Sequence, residues 1–111
     1  MARTTFSGPV VSQNGFIAGS GATITKVLSA VGTLTFPLIA AASQNTQSLT
    51  ITGAAVGDEV ALALPAAPTA GIVFNAFVSS ANNVSVRASN ITAAGVTPGA
   101  ATYGVTVITA T

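Results

Sequence analysis

Asp58 and Glu59 are the only carboxylates in this chain, Arg3, Lys26 and Arg87 are its only basic side chains, and it contains neither histidine nor cysteine. Acid/base work by paired carboxylates needs two carboxyl groups converging on one reacting centre. Asp58 and Glu59 are sequence neighbours at the start of a strand, so their side chains should point to opposite faces. Two solvated charges that discourage edge pairing are the simpler reading. A hydrolase triad needs a base such as His beside its nucleophile, and a zinc site needs His, Cys or several convergent carboxylates. Neither set can be assembled from these residues. Lys26 becomes a nucleophile only when desolvated, and no motif surrounds it, so a solvent-facing strand position is expected. Gly19-Ser20-Gly21 resembles part of a phosphate-binding loop but lacks the Gly-Lys-Ser/Thr that would follow, and it reads as connector. The sequons Asn83-Val84-Ser85 and Asn90-Ile91-Thr92 are discounted as chance matches, since no secretory leader is visible. Arg87 faces outward and is a candidate partner for Asp58 or Glu59. The expectation is therefore no enzyme, no cofactor, no small-molecule substrate, and no catalytic or metal-ligating residue.

Five charged residues in 111 compare with about 28 in an ordinary domain of this length. Hydrophobic residues make up 50% of the chain, with a mean hydropathy of +0.72. The surface must then be built from Ser, Thr, Asn, Gln, Gly and apolar atoms, which suits contact with other protein. The net charge of +1 lies below the magnitude of about 2 to 8 that keeps small domains apart, so a stable assembly is expected. Three basic side chains are too few for nucleic acid. Residues 27 to 57 carry no charge, yet Gly32, Pro37, Ser43, Gln44, Asn45 and Gln47 interrupt them. No run of about 20 apolar residues exists, and no membrane span is expected.

The chain divides into an N-terminal arm, residues 1 to 21, and a single β domain, residues 22 to 111. The arm is rich in Gly, Ser and Thr, contains Pro9 and the turn pair Asn14-Gly15, and shows no sustained periodicity. Its attachment points to a neighbouring copy or a larger host are expected at Arg3, Phe6, Val10, Val11, Phe16 and Ile17; packing of the apolar ones on their own domain is the alternative. Beyond it, β-branched residues alternate in short runs bounded by Gly, Pro and Asn. Strands are expected over Ala22 to Leu28 and Thr33 to Phe36, joined by a turn at Ser29 to Gly32. Further strands are expected over Gln47 to Thr52, Asp58 to Leu64, Ile72 to Ser79, Val84 to Asn90 and Thr102 to Thr109. About seven strands with no helix between them predict an all-β, antiparallel β-sandwich or jelly-roll-like domain. Ile72 to Ser79 is apolar on both faces, which leaves Val73 and Phe77 for a subunit–subunit interface or a covering loop.

The segment ARTTFSGPV followed by NGF, and the run from LTITGAAVGDEVALALPAAPTAG through VSVRASNIT, resemble small structural proteins of tailed bacteriophages. The pattern comprises a Thr-rich strand, Gly53 to Asp58, a Pro-Ala break at Pro65 to Ala67, an aromatic strand with Phe74 and Phe77, and Val84 to Thr92. It covers most of the chain and carries no catalytic motif. Fewer charges and Gly104 in the last strand depart from it. The resemblance implies a head decoration or cement protein: a β module, often trimeric, on the outer surface of the virion capsid. There it would bind the major capsid protein and bridge capsomers. Related modules occur in tail and fibre proteins, so a receptor-binding module for a host glycan is the alternative. Sugar sites favour exposed aromatics, and this chain has no Trp and one Tyr, Tyr103.

Overall fold

The computed structural model describes residues 3–111; positions 1 and 2 of the expected arm lie outside the described residues. Seven strands are present: β1 (Phe16–Ile17), β2 (Thr23–Phe36), β3 (Gln44–Thr50), β4 (Glu59–Ala63), β5 (Ile72–Ser80), β6 (Asn83–Asn90) and β7 (Gly99–Ala110). They form two antiparallel sheets, ordered β1-β2-β7-β4 and β3-β6-β5. The pairing is nested in sequence: β5 and β6 form a hairpin, β3 returns beside β6, and β2 pairs with β7. The connections β2–β3, β3–β4, β4–β5 and β6–β7 each pass from one sheet to the other, and side chains of both sheets meet in one core.

Period-two alternation sets the contents of the core. Leu34 and Phe36 of β2, Val78 of β5, Val84, Val86 and Ala88 of β6, and Tyr103, Val105 and Val107 of β7 are buried in one cluster. Three rings meet at its centre. Phe36 and Tyr103 from one sheet and Phe74 from the other have centroids 5.6 to 5.8 Å apart, two of the three contacts edge-to-face. Such pairs contribute about 0.5 to 1.5 kcal/mol beyond the area they bury.

The expected turn at Ser29 to Gly32 is absent. β2 runs unbroken from Thr23 to Phe36, and its register with β7 holds from Lys26↔Thr109 to Phe36↔Gly99. Small residues there serve packing, since Leu28, Ala30, Leu34 and Phe36 line the core side. Gly32 lies opposite Tyr103, and a Cβ on it would come within 2.5 Å of the Leu49 side chain from the other sheet. Gly32 thus leaves room for the tip of the Leu49 side chain rather than making a bend. The number of strands still reaches seven because β1 adds a short strand inside the arm.

Uncharged polar groups close the ends. The hairpin turn at Ala81 and Asn82 places Asn82 at φ 65°. The Gly53 amide donates to its side-chain Oδ1, the Ile51 amide to its carbonyl, and its own amide to Ala54 O. At the opposite end the buried Asn90 donates from Nδ2 to the carbonyls of Ile39 and Ala94, at 2.9 and 2.8 Å, and accepts at Oδ1 from the amide and hydroxyl of Thr92. The second sequon is thus a structural clamp whose nitrogen is already committed.

Phe36→Ala removes the ring common to both edge-to-face pairs and is expected to cost about 3 to 5 kcal/mol in urea unfolding. Val31→Ala, at a position 71% exposed on the opposite face of β2, should change stability by no more than about 0.5 kcal/mol. Equal losses for the two variants would refute the assignment of the core face.

Burial raises the Tyr103 phenol above its usual value of 10.0. As pH rises the unfolded chain therefore loses that proton first, the folded state binds more protons, and stability falls. With no His or Cys in the chain, the urea midpoint should stay level from about pH 6 to 9 and decline above about pH 10. Tyr103→Phe should flatten the alkaline decline.

Candidate functional site

The few charged side chains are spread along the chain, and Lys26, Asp58 and Arg87 make local contacts. Asp58 turns back on its own loop, its Oδ2 accepting the Ala55 amide at 2.9 Å while its amide donates to Ala55 O. Glu59 is exposed at the start of β4. Lys26 donates from Nζ to Gly53 O at 3.0 Å. Arg87 does not take a carboxylate partner: its guanidinium lies 4.9 Å from the centroid of the Phe77 ring and its Nε donates to Thr46 Oγ1. An exposed contact of this cation–π kind contributes about 0.5 to 1 kcal/mol. Among the described residues no cluster of three or more His, Cys, Asp or Glu side chains could hold a metal ion. A shallow, open hollow of about 200 Å³ lies between the arm and β2, walled by Ser12, Phe16, Lys26 and Val27. It brings together no pair of groups able to exchange a proton.

The sequence-predicted contact residues fall into two groups. Every described arm residue up to Asn14 is exposed, including Arg3. Phe6 is 66% and Val11 85% accessible, and Val10, Phe16 and Ile17 are also open. The apolar side chains of the arm therefore do not pack into the domain's core. The second group, Val73 and Phe77, lies on the outer face of β5. Val73 is exposed, whereas Phe77 is half-buried beneath Arg87. This outer face is otherwise hydroxyl- and amide-rich, with Thr46, Ser48, Asn75, Ser85 and Ser89 in register.

The outer face of the larger sheet differs. Val27, Val31, Ala61, Ala63, Gly104 and Ile108 share it, and Glu59 at one end is its only charge. Val27 and Val31 are 61% and 71% exposed. Sequence reasoning missed this surface because the imagined turn at Ser29 to Gly32 broke the odd-numbered row of β2. The alternation Val27, Ser29, Val31, Thr33 carried the signal, and a strand of uniform period two would have made it plain.

The molecule is longer and more open than its mass requires. Its principal extents are 58 × 28 × 23 Å and its accessible surface is 6975 Å², against roughly 5,500 Å² for a compact chain of this size. Residues 3 to 14 are exposed throughout, and the chain then bends at Gly15 into β1. Gly15 sits at φ 95° where a Cβ would lie 2.5 Å from Ile24 O and 2.9 Å from Thr23 Cγ2. The Ser12 hydroxyl donates to Gly15 O across the same bend, and Phe16 and Ile17 then pair with Ile24 and Thr23.

Gly15→Ala combines a strained φ with a backbone collision, so β1 should detach from β2. Hydrogen exchange of the Phe16 and Ile17 amides should quicken at least about 10-fold, while protection in β6 and β7 stays unchanged. Retained protection at Phe16 would refute the anchoring role.

Compared with protein-family models, curated proteins and solved structures, the chain matches none.

Proposed function

We propose that this chain is a structural protein of a bacteriophage virion, a decoration or cement protein on the outer surface of the capsid that bridges capsomers. In this reading the two sheets form a jelly-roll-like β-sandwich carrying an N-terminal arm. The nested strand pairing supports the first part, and the exposure of residues 3 to 14 supports the second. The observation that carries the reading is the arm, whose Phe6, Val10 and Val11 are offered to solvent by a chain with almost no charge. Apolar side chains held out in this way gain from burial against another protein. The motifs running from the Gly53 to Asp58 turn through Val84 to Thr92 supply the likeness to phage structural proteins.

The mechanism is additive burial. Each copy removes apolar area from water at about 25 cal/mol per Å², much of it offset by the cost of association. Symmetry repeats the contact over the shell, and linked contacts hold more tightly than single ones. The partner is the major capsid protein, and the copies associate as homotrimers through surfaces that include Val73. Phe77 contributes there only with Arg87 displaced or carried along.

A glycan-binding fibre module is the second reading. The hydroxyl- and amide-rich outer face around Phe77 favours it, since sugars stack on rings set among such groups. Against it, Arg87 already covers that ring and Tyr103 is buried at 2% exposure.

Imaging of purified particles should find the chain on the head surface, and heads lacking it should open at lower temperature and under milder osmotic shock. Absence from the head, or equal resistance without it, overturns the capsid reading. Tail-tip location together with glycan-array binding would favour the second.

A further inference from the structure

We propose that the open edge of β2, Val27 to Phe36, receives the arm of a second copy of this chain as an added antiparallel or parallel strand. One edge of β2 is paired with β7 from Ile24 to Phe36. On the other, β1 covers only Thr23 and Ile24, so the backbone donors and acceptors beyond them have no strand partner among the described residues. A row of unpaired backbone groups is a template for another chain unless it is shortened, bulged, charged or interrupted by proline.

Of the outer edges, that of β2 offers the longest run free of such interruption. β4 is five residues long, begins at Glu59 and is soon followed by Pro65. β3 is seven residues long, and β5, of nine residues, has its register broken between Val78 and Ser80. The one bulge in β2 lies between Ile24 and Lys26, and Val27 to Phe36 contains no charge and no proline. At about 3.3 Å per residue this unprotected stretch is roughly 33 Å of free ladder.

The arm fits it in length and chemistry. Arg3 to Ser12 is the same number of residues, exposed throughout, with Thr4, Thr5, Phe6, Val10 and Val11 favouring extended backbone. Pro9 is tolerated there because an added strand is itself an edge. β1 already lies in the same lane, so the added strand continues an existing pairing. The chain's own arm leaves that lane, since the bend at Gly15 and the bulge beside Ile24 end the ladder after two pairs. A second copy's arm meets no such obstacle. Donation of each arm to the next copy is a head-to-tail contact, which closes into a ring when the rotation allows.

The inference rests on the proposed function only in holding that a neighbour secures the arm. Because the chain has no native cysteine, full-length V10C and T33C proteins can be mixed and treated with a short bismaleimide. A cross-linked pair containing one chain of each kind is expected. Failure to form it, or an intramolecular product at every dilution in the V10C/T33C double variant, overturns the proposal. The V10P/V11P variant removes two arm donors at exposed positions and leaves the domain intact. It should lower the sedimentation-derived assembly size and speed exchange of β2 edge amides at least 10-fold. Unchanged size and exchange overturn the proposal as well. Arm exchange in solution by a protein absent from heads would defeat the capsid reading alone, whereas a head protein whose arm lands elsewhere would defeat this inference alone.

Discussion

The contact among Phe36, Phe74 and Tyr103 is the constraint on which the rest of the structure depends. Each ring comes from a different strand, β2, β5 and β7, and together they span both sheets. The other core members are mostly Val, Ala, Ile and Leu, so these three rings are the largest groups that meet across the layers. Their position fixes the facing of three strands at once, because shifting any of these strands by one residue would turn its ring outward. Gly32 beside Tyr103 completes the arrangement by admitting Leu49 where a side chain would collide.

The ends of the molecule are secured by different physics. Ionic contacts are nearly unavailable, and amides carry that work. Asn82 binds the β3–β4 loop to the β5–β6 turn, while Asn90 joins Ile39 and Ala94 through its Nδ2 and holds Thr92 at its Oδ1. Neutral hydrogen bonds of this kind contribute modestly when made, yet leave a costly unpaired group when lost. With five charged residues in the chain, little of its stability can rest on ion pairs.

The inward rows of β6 and β7 were legible in the sequence because Val84, Val86 and Ala88, and Tyr103, Val105 and Val107, alternate without interruption. β2 was not, since Ser29, Ala30 and Gly32 belong equally to the vocabulary of turns and of tight packing. Only the Leu49 side chain arriving from 17 residues further along the sequence decides between the two. The clamp at Asn90 was only half legible: Thr92 and Ala94 are local partners, whereas Ile39 lies 51 residues away and leaves no local trace. The exposure of Phe6, Val10 and Val11 matches apolar residues that lie in no periodic element able to bury them. The cover of Arg87 over Phe77 was foreshadowed by outward alternation in both strands, but its choice of a ring over Asp58 or Glu59 depends on sheet order.

Scarcity of charge now has a spatial meaning. The outer face of β3-β6-β5 satisfies water with hydroxyls and amides, and its one large ring is partly covered by its one arginine. The outer face of β1-β2-β7-β4 presents Val27, Val31 and Ile108 among alanines and threonines, next to an edge of β2 that, among the described residues, β1 pairs only at Thr23 and Ile24. Apolar area and unpaired backbone thus lie together on β2, and one extended segment would meet both needs. Main-chain bonds would satisfy the edge, while alternate side chains of the added strand would extend the outer face beside Val27 and Val31. A charged edge would have repelled such a segment, so the low charge of this chain and the openness of β2 are two aspects of one surface.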